Sequence, residues 1–311
     1  MYFPYLRGKQ FELLALRELV LLMASNRAKV SPIIEPVKNT STLINTLSDL
    51  RRSNINFNII INPSVGDLIN NTREILNVIN SKLNGYNNYQ VGILVESNAK
   101  YEILLELIQD AKVTPAGFTF IHNEIEDNIA SLQNDFNNLF PILNNVINFK
   151  KTNRRYYRKF VAETRVSLDD YFVGLAKNSD YLNQESQFSE EHKFYKEDGF
   201  KGFSDFLTIG DNYSDSGFLP YAVAIHISYE DDAGRIRVNH FVSDSNEDNS
   251  DVAGKFAEAN RKLVSWCDEK GLETIAINEF RNLYESGHFP GLGIIKKLSI
   301  MNHIELVLNL I

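Results

Sequence analysis

At 311 residues, with 43% hydrophobic and 23% charged content, the chain is long enough to bury a full hydrophobic core. Its single cysteine, Cys267, excludes a disulfide framework and a cysteine-built zinc site, and it fits a reducing cytoplasm. The net charge of −8 opposes general electrostatic binding to nucleic acid, and the chain shows neither a leader nor a long apolar run, so we expect a cytoplasmic protein without a membrane segment.

Short apolar segments alternate with helical segments through the first part of the chain. Mainly apolar runs occupy residues 2–6, 30–34, 57–61, 91–95 and 118–121. Each run is followed by apolar residues at helical spacing. Strands that are apolar on both faces and alternate with helices predict a parallel sheet covered by helices. A closed barrel and a doubly wound sheet both satisfy this pattern.

The second part of the chain is less regular. Residues 146–149 and 159–162 are alternative candidates for a sixth strand, and residues 206–210 and 221–229 are candidates for the seventh and eighth. The count of eight favours an α/β fold of the (β/α)8 TIM-barrel type.

Three further features complete this prediction. Residues 167–203 are polar, aromatic and acidic, and they are expected to form a helical insertion. A turn signal at residues 231–234 followed by an extended run at 235–242 predicts an antiparallel hairpin near the last strand. Residues 253–311 are expected to be C-terminal helices, and residues 1–311 a single barrel-like domain.

Polar residues stand at the ends of the apolar runs. In a barrel, the carboxyl ends of the strands meet on one face, where barrel enzymes keep their active sites. Six residues are therefore predicted to surround one pocket: Arg7, Glu35, Asn62, Glu96, His122 and Asp211. The alternative is that polar residues simply mark where each strand leaves the sheet.

The chemistry of this ring is underdetermined. Glu35 and Glu96 could hold a divalent cation such as Mg²⁺ or Mn²⁺ through oxygen ligands, with Asn62 between them and His122 as a base. With Asp211 as a further catalytic candidate, this arrangement suits metal-assisted hydrolysis of a phosphate ester or nucleotide-like substrate.

Two basic residues near the N-terminus, Arg7 and Lys9, would then face the anionic substrate. No HxH or HExxH spacing supports a metal site. The alternative is that Glu35 and Glu96 form salt bridges with Arg7, Lys9 or a neighbouring lysine.

A basic and aromatic cluster, residues 153–159, offers a second place for an anionic partner. Its cations include Arg154 and Arg155, and its two tyrosines could stack on bases. A solvated or protein-binding face is the favoured interpretation in an acidic protein. On the hairpin, His226 and His240 share a face in only one pairing register, and the interpretation in which they do not meet is favoured.

Several stretches resemble the phage and bacterial beta-protein family. The resemblance is clearest in residues 1–9 (MYFPYLRGK) and 32–36 (PIIEP), within the first 40 residues or so. Later stretches resemble a bacterial subgroup of that family: residues 154–157 (RRYY), 202–206 (GFSDF), 240–245 (HFVSDS) and 287–293 (GHFPGLG). The resemblance implies a bacterial origin, a barrel-like fold, and an association with mobile elements and phage defence beside a second, nuclease-like protein. It carries over no catalytic residue.

Two hypotheses follow. In the first, the chain is the partner protein of a two-component antiphage-defence system, with a barrel-mouth pocket of unknown ligand. It binds the nuclease-like protein through the helical insertion at 167–203 and the cluster at 154–159, and nucleic acid is reached only through that partner or through the cluster. In the second, the strand-end ring is a working hydrolase site. The first is favoured because no acid, base or metal motif is specific enough to identify an enzyme.

Overall fold

Eight parallel strands close into a barrel. The computed structural model of the protein describes residues 1–153, 155–214 and 219–311. Around the barrel, each strand pairs with the next and the last pairs with the first. The strands in order are β1 (Tyr2–Leu6), β2 (Ile33–Ile34), β3 (Phe57–Ile60), β4 (Tyr89–Val95), β5 (Gly117–His122), β6 (Ile142–Asn148), β7 (Arg165–Asp169) and β9 (Gly202–Asp205). This is the TIM-barrel arrangement that the alternating pattern predicts.

Helices cover the outside of the barrel because their apolar faces pack on the strands. For example, the buried residues Leu43, Leu47 and Leu50 follow helical spacing, and the Thr40 side chain caps their helix by accepting a hydrogen bond from the Leu43 N–H at 3.2 Å. The helices of this layer are α1 (Gln10–Glu18), α2 (Val20–Ser25), α3 (Ser41–Arg52), α4 (Thr72–Leu83), α5 (Tyr101–Ala111) and α6 (Ile129–Asn137).

The last barrel strands differ from the prediction. The first five apolar runs each coincide with or overlap a barrel strand, and residues 146–149 overlap β6. The alternative sixth strand at 159–162 runs from the end of one short 3-10 helix (Tyr156–Lys159) to the start of the next (Ala162–Thr164). Residues 206–210 contain a 3-10 helix (Leu207–Ile209), and residues 221–229 overlap a strand of a separate sheet, so both were wrong as barrel strands. The barrel closes instead with β7 and β9.

A three-stranded antiparallel sheet forms the second structural element. Its order is β10–β11–β8, with β8 (Glu185–Ser189), β10 (Ala224–Glu230) and β11 (Ile236–Val242). The hairpin is confirmed by the pairing of Ala224 with Val242 and of Glu230 with Ile236. The predicted helical insertion at 167–203 was wrong, because this segment contains β8 and parts of β7 and β9. Its helices are short: α7 (Glu191–Phe194) and a 3-10 helix (Asn178–Tyr181).

Three C-terminal helices accompany this sheet: α8 (Val252–Lys270), α9 (Ile275–Ser286) and α10 (Leu292–Leu310). The sequence predicts one domain, whereas the chain divides into two compact units. The barrel unit comprises Met1–Asp170 and Glu191–Asp205, and the sheet unit comprises Tyr171–Glu190 and Phe206–Ile311. Within the described residues, no helix combines the length and apolar character that crossing a bilayer requires.

Candidate functional site

The strand register decides which side chains enter the barrel. Paired residues of parallel strands point to the same side of the sheet, so Tyr5, Ile33 and Asn58 share the inner face. Side chains alternate between the two faces along a strand, so Arg7 and Glu35, two residues after Tyr5 and Ile33, also point inward. They lie at the barrel mouth, the end formed by the carboxyl ends of the strands. This end of the barrel therefore contains part of the predicted ring.

A polar layer lies deeper inside the barrel, and sequence reasoning missed it. The Thr119 hydroxyl donates to Asn58 Oδ1 at 2.5 Å and accepts from the Asn144 amide at 2.7 Å. Asn58 also donates to the Ser31 hydroxyl at 3.0 Å. These four side chains are buried, and the hydrogen bonds among them are how buried polar groups are tolerated. The sequence signal that could have indicated this layer is a polar residue inside an apolar run, such as Asn58 in 57–61 or Thr119 in 118–121.

The Glu35 carboxylate is the most highly bonded group at the mouth. Its Oε2 atom accepts from the Tyr5 hydroxyl at 2.7 Å and from Arg7 Nη1 at 3.0 Å. Its Oε1 atom accepts from the Ser64 N–H at 2.8 Å and from the Ser64 hydroxyl at 3.0 Å. A carboxylate has about four acceptor positions, so the protein itself occupies the acceptor capacity of Glu35.

Backbone geometry supports the same cluster. Gly8 adopts a φ of +60°, and a Cβ atom at this position would lie 2.8 Å from the Glu35 carbonyl oxygen. The glycine thus allows the segment after β1 to approach the segment after β2. Arg7 and Glu35 form the salt bridge of the alternative interpretation, with a side chain of Glu35 that is 0% exposed. Both residues fit a role in holding the mouth together.

Glu96 has a different environment. Its Oε1 atom accepts one hydrogen bond, from the Asn123 amide at 3.2 Å, and Asn123 in turn accepts from Asn148 at 3.1 Å. Burial raises the pKa of Glu96 above its ordinary value of 4.5, and the negative charge of Glu35 adds to this effect while the Asn123 hydrogen bond opposes it. Glu96 is therefore the ring carboxylate that keeps acceptor capacity and proton affinity for a ligand.

The predicted ligand-binding residues Asn62 and Lys9 have local structural roles. The Asn62 amide donates to the Leu94 carbonyl at 2.9 Å, and its oxygen accepts from the Leu94 N–H at 2.9 Å, so the side chain extends the pairing of β3 with β4. Lys9 stands at the N-cap of α1, where its carbonyl accepts from the Leu13 N–H. Asn62 still lines the groove described below.

His122 does not join the ring. It pairs in register with Ile147, on the face of the sheet opposite to Thr119, and it is 0% exposed. Its Nε2 atom lies 3.0 Å from Asn145 Oδ1, and its Nδ1 atom lies 3.2 Å from the Tyr156 hydroxyl. Burial lowers the pKa of His122 to about 4, so the ring is neutral at neutral pH. The expected base is a buried outer-face histidine, and the inward residue at this strand end is Asn123.

Asp211 was also wrongly placed. It follows a 3-10 helix (Leu207–Ile209) of the sheet unit and not a barrel strand. The barrel strand β9 ends instead at Asp205, which is 1% exposed and accepts a hydrogen bond from the Tyr2 hydroxyl at 2.9 Å. The run of apolar residues immediately after Asp205 concealed this strand end in the sequence.

The basic cluster turns its aromatic rings inward. Tyr156 is 2% exposed and bonds to His122 and to the Glu126 N–H, and Tyr157 packs on Phe200 with ring centroids 5.3 Å apart. These rings are occupied by protein contacts, so the arrangement does not favour base stacking. Arg155 is exposed, whereas the other predicted residue, Arg154, lies outside the described residues.

A groove of about 660 Å³ opens beside this mouth, between the segments that follow β3 and β4. Asn62, Ser64 and Glu96 supply its polar side. Ile69 and Ile103 line it while remaining 45% and 47% exposed. The groove thus combines exposed apolar side chains with a half-buried carboxylate.

Two cations, Arg73 and Lys100, complete the lining. Both are exposed, and neither forms an ion pair with a described residue. Across the described ranges, no three His, Cys, Asp or Glu side chains are grouped so as to hold a metal ion.

Comparisons with known proteins add little beyond the fold. No family model matches the chain, and no curated protein matches it. Among solved structures, the chain is similar to the N-acetylneuraminate lyase of Mycoplasma synoviae, with a TM-score of 0.39 and 9% identity over 66% of this chain and 68% of that chain. The closed barrel itself defines the fold.

Proposed function

We propose that this chain is a cytoplasmic accessory protein of a bacterial two-component antiphage-defence system, and that it binds a second, nuclease-like protein through the groove at the barrel mouth. The observation that supports a binding function is the pair of half-exposed isoleucines, Ile69 and Ile103, in a groove of about 660 Å³. Exposed apolar side chains in a concave, polar-rimmed surface are typical of protein interaction sites. The family resemblance supplies the biological setting.

The charges of the groove indicate the chemistry of the partner segment. Arg73 and Lys100 make no ion pair among the described residues, and both line the groove with the two isoleucines. A partner segment with one apolar anchor and flanking carboxylates would complement this surface. The bound segment would lie over Glu96, whose raised pKa makes its burial under a partner less costly than that of an ordinary carboxylate.

The hydrolase alternative receives less support from the same residues. Glu35 gives its acceptor positions to Tyr5, Arg7 and Ser64, and His122 faces away from the barrel interior. Phosphate ester hydrolysis with Mg²⁺ or Mn²⁺ would therefore rest on Glu96.

Native mass spectrometry of the protein isolated from its own host tests the proposal. We expect one second protein at fixed stoichiometry. We expect Ile103→Asp to reduce its recovery at least about tenfold, because the substitution replaces an apolar contact by a carboxylate that repels the carboxylates of the partner segment. Leu21→Asp is the matched control, since Leu21 is 80% exposed and does not line the groove.

Equal recovery with Ile103→Asp and Leu21→Asp would contradict the use of this groove. A chain that carries no second protein and hydrolyses p-nitrophenyl phosphate with Mn²⁺, with the activity lost in Glu96→Gln, would replace the proposal by the hydrolase alternative.

A further inference from the structure

A separate cavity of about 370 Å³ lies within the sheet unit. Its lining comes from β10, from α10, and from the segments around residues 172–181 and 208–209. The lining is mixed: apolar side chains such as Leu175, Val223 and Ile295 lie beside polar ones that include Asn178 and Ser299. A cavity of this size fits a small organic molecule, and its few polar groups would determine which one.

One polar group is a histidine at the end of a hydrogen-bonded chain. His226 pairs with His240, and Val238 pairs with Ser186, so Ser186, His240 and His226 lie on one face of the sheet. The Ser186 hydroxyl lies 2.9 Å from His240 Nε2, and His240 Nδ1 lies 2.8 Å from His226 Nδ1. The favoured sequence interpretation, in which these histidines do not meet, was therefore wrong.

This chain sets the chemistry of the remaining His226 nitrogen. Burial lowers the pKa of His226 to about 3 and that of His240 to about 4, so both rings are neutral at neutral pH. If the Ser186 hydroxyl donates to His240, then His240 donates to His226, and His226 Nε2 carries a proton. If the hydroxyl instead accepts, His226 Nε2 is an acceptor. His226 Nε2 can thus offer the cavity either a hydrogen-bond donor or a hydrogen-bond acceptor without an ionised histidine.

The His226 Nε2 atom bonds to no described residue, and its ring lines the cavity. A second unpartnered group lies in the same wall: the Thr208 hydroxyl belongs to a side chain that is 3% exposed and bonds to no described residue. Buried polar groups normally have partners, so the Thr208 hydroxyl indicates a hydrogen-bonding ligand. The half-buried His226 ring offers that ligand a second polar contact.

The other lining groups indicate the class of that ligand. The rings of Phe172 and Tyr181 lie 5.1 and 4.8 Å from the His226 ring, measured between centroids, and both line the cavity. The exposed Lys296 lines it as well and forms no ion pair with a described residue. Aromatic walls favour a planar ligand, and an uncompensated ammonium favours an anionic group.

We propose that this cavity binds a small planar aromatic ligand that carries one anionic group. The aromatic ring packs on the wall that contains Phe172 and Tyr181, a heteroatom of the ligand bonds to His226 Nε2, and the anion faces Lys296. The site lies wholly within the sheet unit and does not depend on the proposed function of the barrel groove.

Imidazole ¹⁵N NMR of the full-length protein tests the proposal, with indole-3-carboxylate as the probe and neutral indole as its uncharged counterpart. We expect the His226 resonances to shift with the probe, while those of the exposed His288, outside the cavity, stay unchanged. The carboxylate should bind about fivefold more tightly than indole, as one partly exposed ion pair allows.

Lys296→Ala should remove this preference, whereas Lys270→Ala, at an exposed lysine outside the cavity, should retain it. His303, which bonds to the Ser228 hydroxyl at 3.0 Å, reports in the same spectra whether the variants remain folded. The proposal is overturned if neither probe binds at millimolar concentration, if binding leaves His226 unshifted, or if Lys296→Ala and Lys270→Ala bind the two probes alike.

Discussion

Replacement of Glu35 by glutamine should destabilise the protein strongly although it changes the side-chain volume very little. The side-chain oxygen of glutamine can accept hydrogen bonds in place of one carboxylate oxygen. The NH2 group then stands in place of the other oxygen and faces hydrogen-bond donors. If that amide faces Ser64, the Ser64 hydroxyl can rotate to accept, whereas the Ser64 N–H loses its partner. If it faces Tyr5 and Arg7, the Tyr5 hydroxyl can likewise rotate to accept, whereas Arg7 Nη1 loses its acceptor.

The magnitude follows from these groups. An unpartnered buried donor costs about 1–3 kcal/mol. Removing the charge of Glu35 also breaks its buried ion pair with Arg7, and breaking such a pair by removing one partner costs about 3–5 kcal/mol. Because these two costs overlap, we expect Glu35→Gln to lower the free energy of unfolding by about 3–5 kcal/mol in total.

Urea unfolding followed by far-UV circular dichroism measures this loss as a shift of the midpoint. Ser64→Ala is a graded comparison, since it removes only the hydroxyl that donates to Glu35 and keeps the N–H. It should cost about 1 kcal/mol. Unfolding midpoints of Glu35→Gln and wild type that coincide would refute the structural role of Glu35 at the barrel mouth.

Three further predictions concern stability. Near neutral pH, the Glu96→Gln variant should be as stable to unfolding as the wild type or slightly more stable. The raised pKa of Glu96 means that its ionised form is disfavoured in the folded state, so the difference in stability should vanish below pH 4.5. His122→Gln should reduce acid sensitivity: with its pKa lowered to about 4, wild-type His122 contributes stability that is lost as pH falls, about 2 kcal/mol between about pH 7 and pH 5. Gly8→Ala should cost more than Gly85→Ala, because both glycines have positive φ but only Gly8 lacks room for a Cβ atom.

Urea midpoints at several pH values check the first two of these predictions. If Glu96→Gln becomes less stable than the wild type as pH rises, the ionised carboxylate is favoured in the folded protein and the prediction is wrong. Equal acid sensitivity of His122→Gln and wild type would contradict a neutral buried histidine. For the glycine pair, equal melting temperatures of the two alanine variants would show that the segment after β2 moves away at no cost.

The first half of the barrel could be predicted because its strands are buried on both faces. Runs such as 91–95 are almost wholly apolar, and the helices between them have one apolar face. The strands β7 and β9 lack this signal: their sequences, RVSLD and GFSD, are short and partly polar. They are strands because the barrel needs two more partners to close, which is a property of the whole sheet.

The polar ring was predicted correctly in part. Arg7, Glu35, Asn62 and Glu96 do lie at the carboxyl ends of β1 to β4. The prediction for His122 was wrong because side chains along a strand alternate between the inner and outer face of the barrel. Which face the last residue takes depends on the register with the neighbouring strands.

The sequence could not show that the acceptor positions of Glu35 are filled, because Tyr5 and Ser64 donate to it from two other segments of the chain. The histidine pair depended in the same way on register, which only the hairpin geometry defines.

The pairing of β1 with β9 affects how the protein is made. Tyr2 pairs with Phe203 and Pro4 with Asp205, so the first strand finds its second neighbour only after about two hundred residues have been synthesised. During translation, one edge of β1 keeps backbone groups without strand partners, and such edges promote association between chains. Nascent chains that end before β9 are therefore expected to need chaperone protection, and the barrel is expected to close only once that strand has left the ribosome.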